Sequence, residues 1–120
     1  MILRITLVII ILGIAYLSLT PSETITVGND KLGHFIAYGI LMLNAGLLTY
    51  HKKILFAFGI ILSLMYGALM EIGQYFVPGR FLSGYDMLAN AGGVAAGAII
   101  TALFYKSMRR ILSKFGLMNS

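Results

Sequence analysis

Cysteine is absent from the 120-residue chain, which excludes disulfides, thiolate chemistry and cysteine-ligated metal centres. Charge is also scarce. Charged residues make up 11% of the sequence, against about 25% in an ordinary soluble domain. There are four acids, Glu23, Asp30, Glu71 and Asp86. With a mean hydropathy of +0.92, so little charge cannot cover a water-facing surface. A soluble enzyme or a nucleic-acid-binding domain is therefore set aside, despite a sequence pI of about 9.7. Metal-binding spacings, phosphate loops, nucleophile elbows and haem signatures are likewise missing, so no metal and no cofactor is expected.

What remains is apolar. Hydrophobic residues make up 59% of the chain, and they gather into runs near the ~20 residues that a spanning helix needs. Four such runs lie at residues 2–19, 33–50, 54–77 and 87–105. Pro21 closes the first, His51, Lys52 and Lys53 follow the second, and Pro78 and Gly79 follow the third. The first run has Arg4 ahead of it like a secretory signal, but Leu17, Leu19 and Pro21 disfavour cleavage, so a retained helix is expected. Beyond Tyr105, the apolar residues Met108, Ile111, Leu112 and Phe115 recur at helical spacing. Lys106, Arg109, Arg110 and Lys114 lie between them. Residues 106–120 read as a short basic amphipathic helix on the membrane surface. The expected fold is a single all-α membrane domain, a bundle of four transmembrane helices with that short amphipathic C-terminal helix. Neither an internal repeat nor a linker divides it.

Basic residues orient the bundle. Arg4, Lys52, Lys53, Lys106, Arg109, Arg110 and Lys114 fall on one side, and Lys31 and Arg80 on the other. The positive-inside rule then makes both termini cytoplasmic and turns the first and third loops outward. The net charge of +5 thus reads mainly as topology and lipid contact.

The remaining polar residues form three groups. Asp30, His34 and Tyr38 share a stripe at helical spacing, with Lys31 beside them. Glu71 and Gln74 share a face and precede Arg80. Asp86, Asn90, Gly93 and Gly97 form a third stripe. In the four-span topology these groups meet near the outer boundary, which is the strongest functional signal in the sequence. A carboxylate within a span is costly unless it faces the interior, pairs, or stays protonated. Glu71 therefore reads either as an acid/base or binding group, or as a carboxyl that locks helix packing. For His34 the alternatives are a proton shuttle, a ligand or a satisfied helix-start residue. Asp30 and Asp86 have helix capping as their alternative, and Arg80 has snorkelling to the headgroup layer. Asn90 needs a partner inside a span, and Glu71 or Asp86 would serve. Gly93 and Gly97 make a small-xxx-small step suited to close helix packing.

Asp30-Lys31-Leu32-Gly33-His34-Phe35 with Tyr38 resembles the first motif of the VanZ-like family. Glu71-Ile72-Gly73-Gln74-Tyr75-Phe76-Val77-Pro78-Gly79-Arg80 resembles its second block. Asp86-Met87-Leu88-Ala89-Asn90, with Gly93 and Gly97, resembles its third. The resemblance runs from about Asp30 to Gly97 and takes in Leu17-Ser18-Leu19-Thr20-Pro21 as well. It implies a small multi-helix bacterial membrane protein, whose family namesake is associated with low-level teicoplanin resistance. Carried over by motif, the positions of interest are Asp30, Lys31, His34, Glu71, Gln74, Arg80, Asp86 and Asn90.

The leading expectation is a multi-pass protein of the bacterial inner membrane with an outward-facing polar pocket. That pocket would bind a lipid headgroup, a lipid-linked envelope precursor or an amphiphilic glycopeptide antibiotic. Arg80 and Lys31 would hold anionic groups; Asp30, Tyr38, Glu71, Gln74, Asp86 and Asn90 would line the site. Three alternatives stand beside it. One is an intramembrane enzyme on a lipid-linked substrate, with Glu71 or His34 as catalytic base. Another is a proton-coupled transporter, which four helices would require to be a homo-oligomer. The last is a structural or assembly subunit whose polar residues only hold helices together.

Overall fold

The computed structural model describes residues 1–20, 30–78 and 84–118. They form four helices, α1 (Ile2–Leu19), α2 (Asp30–Thr49), α3 (Lys53–Tyr75) and α4 (Gly84–Lys114). Each is long and apolar enough to cross a membrane. The N-terminal side of α3 is set by Lys52, whose extended backbone interrupts the helical run after Thr49.

The C-terminal segment departs from expectation. No separate amphipathic helix follows Tyr105 among the described residues; residues 106–114 are the last turns of α4. The physical reason is local. The change from apolar to basic side chains at Lys106 alters what surrounds the helix, but nothing from Ala98 to Phe115 is Gly or Pro. Lys, Arg, Met and Leu are all good helix formers, so the backbone continues. It stops at Gly116, whose φ of 74° is left-handed. There the Leu117 amide donates to the Leu112 carbonyl at 2.9 Å and the Gly116 amide to Ser113 at 3.2 Å, a Schellman termination. At 31 residues and ~1.5 Å per residue, α4 is about 46 Å long. That exceeds the ~30 Å hydrocarbon core, so its basic end projects beyond the apolar slab.

Packing is inverted relative to a soluble protein. The buried side chains include Ser18, Ser63, Glu71, Gln74, Asp86, Asn90 and Thr101, while Leu12, Leu69 and Leu103 are 60% or more exposed. Polar groups sheltered inside and aliphatic groups outside suit a lipid surround.

The closest packing joins α2 to α4, backbone against backbone. A Cβ at Gly93 would stand 2.3 Å from the Phe35 carbonyl oxygen, and one at Gly97 would stand 2.6 Å from that of Gly39. Two turns along, a Cβ at Gly46 would meet the Thr101 hydroxyl at 2.6 Å, while that hydroxyl donates to the Gly97 carbonyl at 2.8 Å. Small residues at such a crossing permit dispersion and backbone contact that larger ones would block. Met42 and Val94 fill the core beside this seam. Against the pair lies α3, and α1 packs on the bundle through Leu7, Ile10, Ile11 and Ile14 and through further contacts. Asn44 Nδ2 donates to Thr6 Oγ1 at 2.6 Å, the Tyr66 hydroxyl donates to the Ile11 carbonyl, and Leu19 packs on Gly73. At the end bearing the α2–α3 turn, Tyr50 meets Phe56 edge-on at 4.9 Å and Tyr105 at 4.8 Å between centroids. Aromatic rings grouped in this way suit a membrane–water interface.

Candidate functional site: a buried polar cluster at one end of the bundle

Opposite the Tyr50 end, the first half of α2, the last half of α3 and the first half of α4 converge. Helical spacing explains which side chains meet there. His34 and Tyr38 sit one turn apart on α2, Gly67, Glu71 and Gln74 share a face of α3, and Asp86 and Asn90 lie one turn apart on α4. All except His34 are buried, Glu71 completely and Gln74 to within 2%. His34 is half-buried.

Asn90 ties the three helices together. Its Oδ1 lies 2.7 Å from His34 Nδ1 on α2, and its Nδ2 donates to the Gly67 carbonyl on α3 at 3.4 Å. The partner on α3 is thus a backbone carbonyl and that on α2 an imidazole, where the sequence had suggested a carboxylate. Because an amide oxygen only accepts, Nδ1 of His34 must carry the proton in that contact. Gly67 was not singled out by the sequence. It lies four residues before Glu71, and a Cβ there would press within 3.2 Å of both Asn90 Cβ and Tyr38 Cε1. The missing side chain is what allows Asn90 and Tyr38 to close over α3.

Tyr38 is 2% exposed, and its hydroxyl has no hydrogen-bond partner among the described residues. That hydroxyl lies within electrostatic reach of the Glu71 carboxyl, and the Tyr38 ring stands 6.2 Å from that of Tyr66. An unpaired buried hydroxyl costs about 1–3 kcal/mol. The Tyr66 ring stands on the inner side of the cluster.

Asp86 is the third residue of α4, inside its first turn rather than ahead of it. A carboxylate in that position is favoured by the positive end of the helix dipole. Asp30 is the first residue of α2. Lys31 stands apart from the cluster. It is exposed, with Nζ 5.4 Å above the Tyr85 ring, so a cation–π contact joins the starts of α2 and α4. Gly93 and Gly97 lie further along α4 at the α2 seam. Arg80 lies outside the described residues, between the end of α3 and the start of α4.

The arrangement offers two carboxyls, two carboxamides, an imidazole and a phenol in one low-dielectric space. Such a set can accept and donate hydrogen bonds to a polar group, and the low dielectric strengthens each of them. Its four-helix setting and lipid-facing exterior identify a multi-pass membrane protein. No curated protein and no solved structure matches the chain. Residues 6–105, which include most of α1, all of α2 and α3, the first two-thirds of α4 and the whole polar cluster, match the family model described as VanZ/LLP1. The chain belongs to the VanZ/LLP1 family of membrane proteins.

Proposed function

We propose that the cluster is an outward-facing binding site for the polar headgroup of an amphiphile. The amphiphile would be an envelope lipid, a lipid-linked precursor or an amphiphilic glycopeptide. The supporting observation is the buried Tyr38 hydroxyl beside Glu71, a donor with no protein acceptor among the described residues. A group kept at that expense inside a membrane span is a functional-site candidate by default. In this reading Arg80 and Lys31 hold anionic oxygens at the rim, since guanidinium and ammonium groups suit phosphate and carboxylate. Tyr38, Glu71, Gln74 and Asn90 receive the uncharged hydroxyls or amides of the headgroup, His34 keeps Asn90 oriented, and Asp30 and Asp86 flank the entrance. The positive-inside bias supports the bacterial inner membrane as the location, with cytoplasmic termini and the cluster in the outer half.

Native mass spectrometry of the full chain, extracted from vesicles containing anionic envelope lipids, tests this reading. The Arg80→Ala variant should retain the bound lipid about fivefold less well, the effect of losing roughly 1 kcal/mol at a membrane surface. Equal retention by wild type and variant would count against it.

A further inference from the structure

A second feature lies at the opposite end of the bundle and is independent of the headgroup reading. Beyond the Tyr66–Ile11 hydrogen bond, toward the α2–α3 turn, the space between α1, α2 and α3 is a groove of about 490 Å³. Its lining is almost entirely carbon. Leu7 and Ile11 form one wall, Leu41 and Ala45 the floor, and Gly59 and Leu62 the other wall. Leu62 and Phe58 on its rim are 61% and 53% exposed, so the groove opens sideways to the surround of the bundle and not to the polar cluster.

Length, width and charge point to one occupant. Along α3 the groove runs from Leu55 to Tyr66, about 16 Å at 1.5 Å per residue. One leaflet of the hydrocarbon core is about 15 Å deep, so the groove matches a single leaflet. A single acyl chain is narrow enough to lie lengthwise between the α1 and α3 walls. Near the mouth, at the start of α3, Lys52 and Lys53 are both exposed and lie three and two residues before Leu55. Arg4, also exposed, lies one turn before Leu7 on α1. Of the described acids, Glu71 and Asp86 lie in the cluster at the other end of the bundle, and Asp30 opens α2 at that same end. Among the described residues the mouth is therefore flanked by basic side chains and by no acidic one.

We infer that the groove holds one acyl chain of an anionic phospholipid from the leaflet at the Lys52–Lys53 end, with Arg4, Lys52 and Lys53 on its phosphate. The chain fills apolar volume that neighbouring helices leave open, and the cations select the headgroup charge. Tyr66 closes the deep end of the groove and separates it from the Tyr38 cluster.

The test loads the full chain from vesicles of equal palmitoyl-oleoyl phosphatidylglycerol and phosphatidylcholine and reads retained lipid by native mass spectrometry. An Arg80→Ala background keeps the two sites distinct. Retained phosphatidylglycerol in excess is expected. Gly59→Phe should lower occupancy at least fivefold, since a Cβ at Gly59 meets only ordinary contacts, the nearest at 3.5 Å, and the ring then enters the groove. Lys52→Gln combined with Lys53→Gln should cut the phosphatidylglycerol preference about thirtyfold. That pair is exposed, so it decides the matter even where Gly59→Phe does not fold. Unchanged preference in the lysine pair, unchanged occupancy in folded Gly59→Phe, or a second protein copy lost on that substitution would each overturn the inference.

Discussion

Replacing Gly93 by Ala should leave little folded protein, whereas the same replacement at Gly33 should be harmless or mildly stabilising. Both positions lie inside helices, so both gain up to about 1 kcal/mol from helix propensity. They differ in what the new methyl meets. At Gly33 nothing lies within 4 Å, while at Gly93 the methyl would stand 2.3 Å from the Phe35 carbonyl oxygen and 3.0 Å from the Gly39 amide nitrogen. Those atoms belong to the α2 backbone and cannot rotate aside as a side chain would. The helices must part, loosening the Gly97 contact and the core around Met42 and Val94. The His34–Asn90 bond, one turn away, is stretched as well. Overpacking of flexible cores costs about 1–3 kcal/mol, and a backbone clash should reach or pass the upper figure. Thermal unfolding in mild detergent should show a Tm lower by roughly 10 °C or more, or no monodisperse protein. A Gly93→Ala Tm equal to that of Gly33→Ala would refute the close α2–α4 seam.

Tyr38→Phe should separate stability from binding in opposite directions. Removing a buried hydroxyl that lacks a partner among the described residues removes its desolvation penalty, so the variant should be more stable by about 1 kcal/mol. The ring stays, and with it the contacts to Gly67 and Tyr66. In the proposed site the same hydroxyl bonds to the ligand headgroup. A hydrogen bond to an uncharged hydroxyl or amide contributes about 1 kcal/mol, so retention of the lipid should fall about fivefold. A purely packing role predicts no change in lipid retention. Thermal unfolding and native mass spectrometry on the same preparation read both quantities.

The four helices were legible because a membrane span must satisfy every backbone group internally and cover itself with apolar side chains. That requirement leaves long uninterrupted runs in the sequence. The end of α4 was not. Hydropathy reports the surround of a helix, and the switch to Lys106, Arg109 and Arg110 marks where the surround changes. The backbone obeys a different signal, the first residue able to take a left-handed conformation, and that residue is Gly116. Within the cluster, helical spacing already put His34 with Tyr38 and Asp86 with Asn90 on shared faces. Which helix faced which was another matter. That Asn90 bonds His34 and the Gly67 carbonyl depends on the rotation of α3 against α4, set by glycines whose partners are distant in the chain. The groove left no motif at all, since its lining residues are the same leucines and isoleucines that face lipid elsewhere.

The central claim is that the buried cluster is reached from the outer aqueous side and is not sealed helix packing. Because the chain has no cysteine, single-cysteine accessibility measures this directly. Gln74→Cys would be compared with Thr101→Cys, whose parent side chains are 2% and 0% exposed in the structure. A small charged methanethiosulfonate that cannot cross the membrane is added outside intact cells. Gln74→Cys should be modified, more slowly when anionic lipid occupies the site, and Thr101→Cys should not. Labelling of Gln74→Cys that is as absent as that of Thr101→Cys, or that occurs only from the cytoplasmic side, would contradict it.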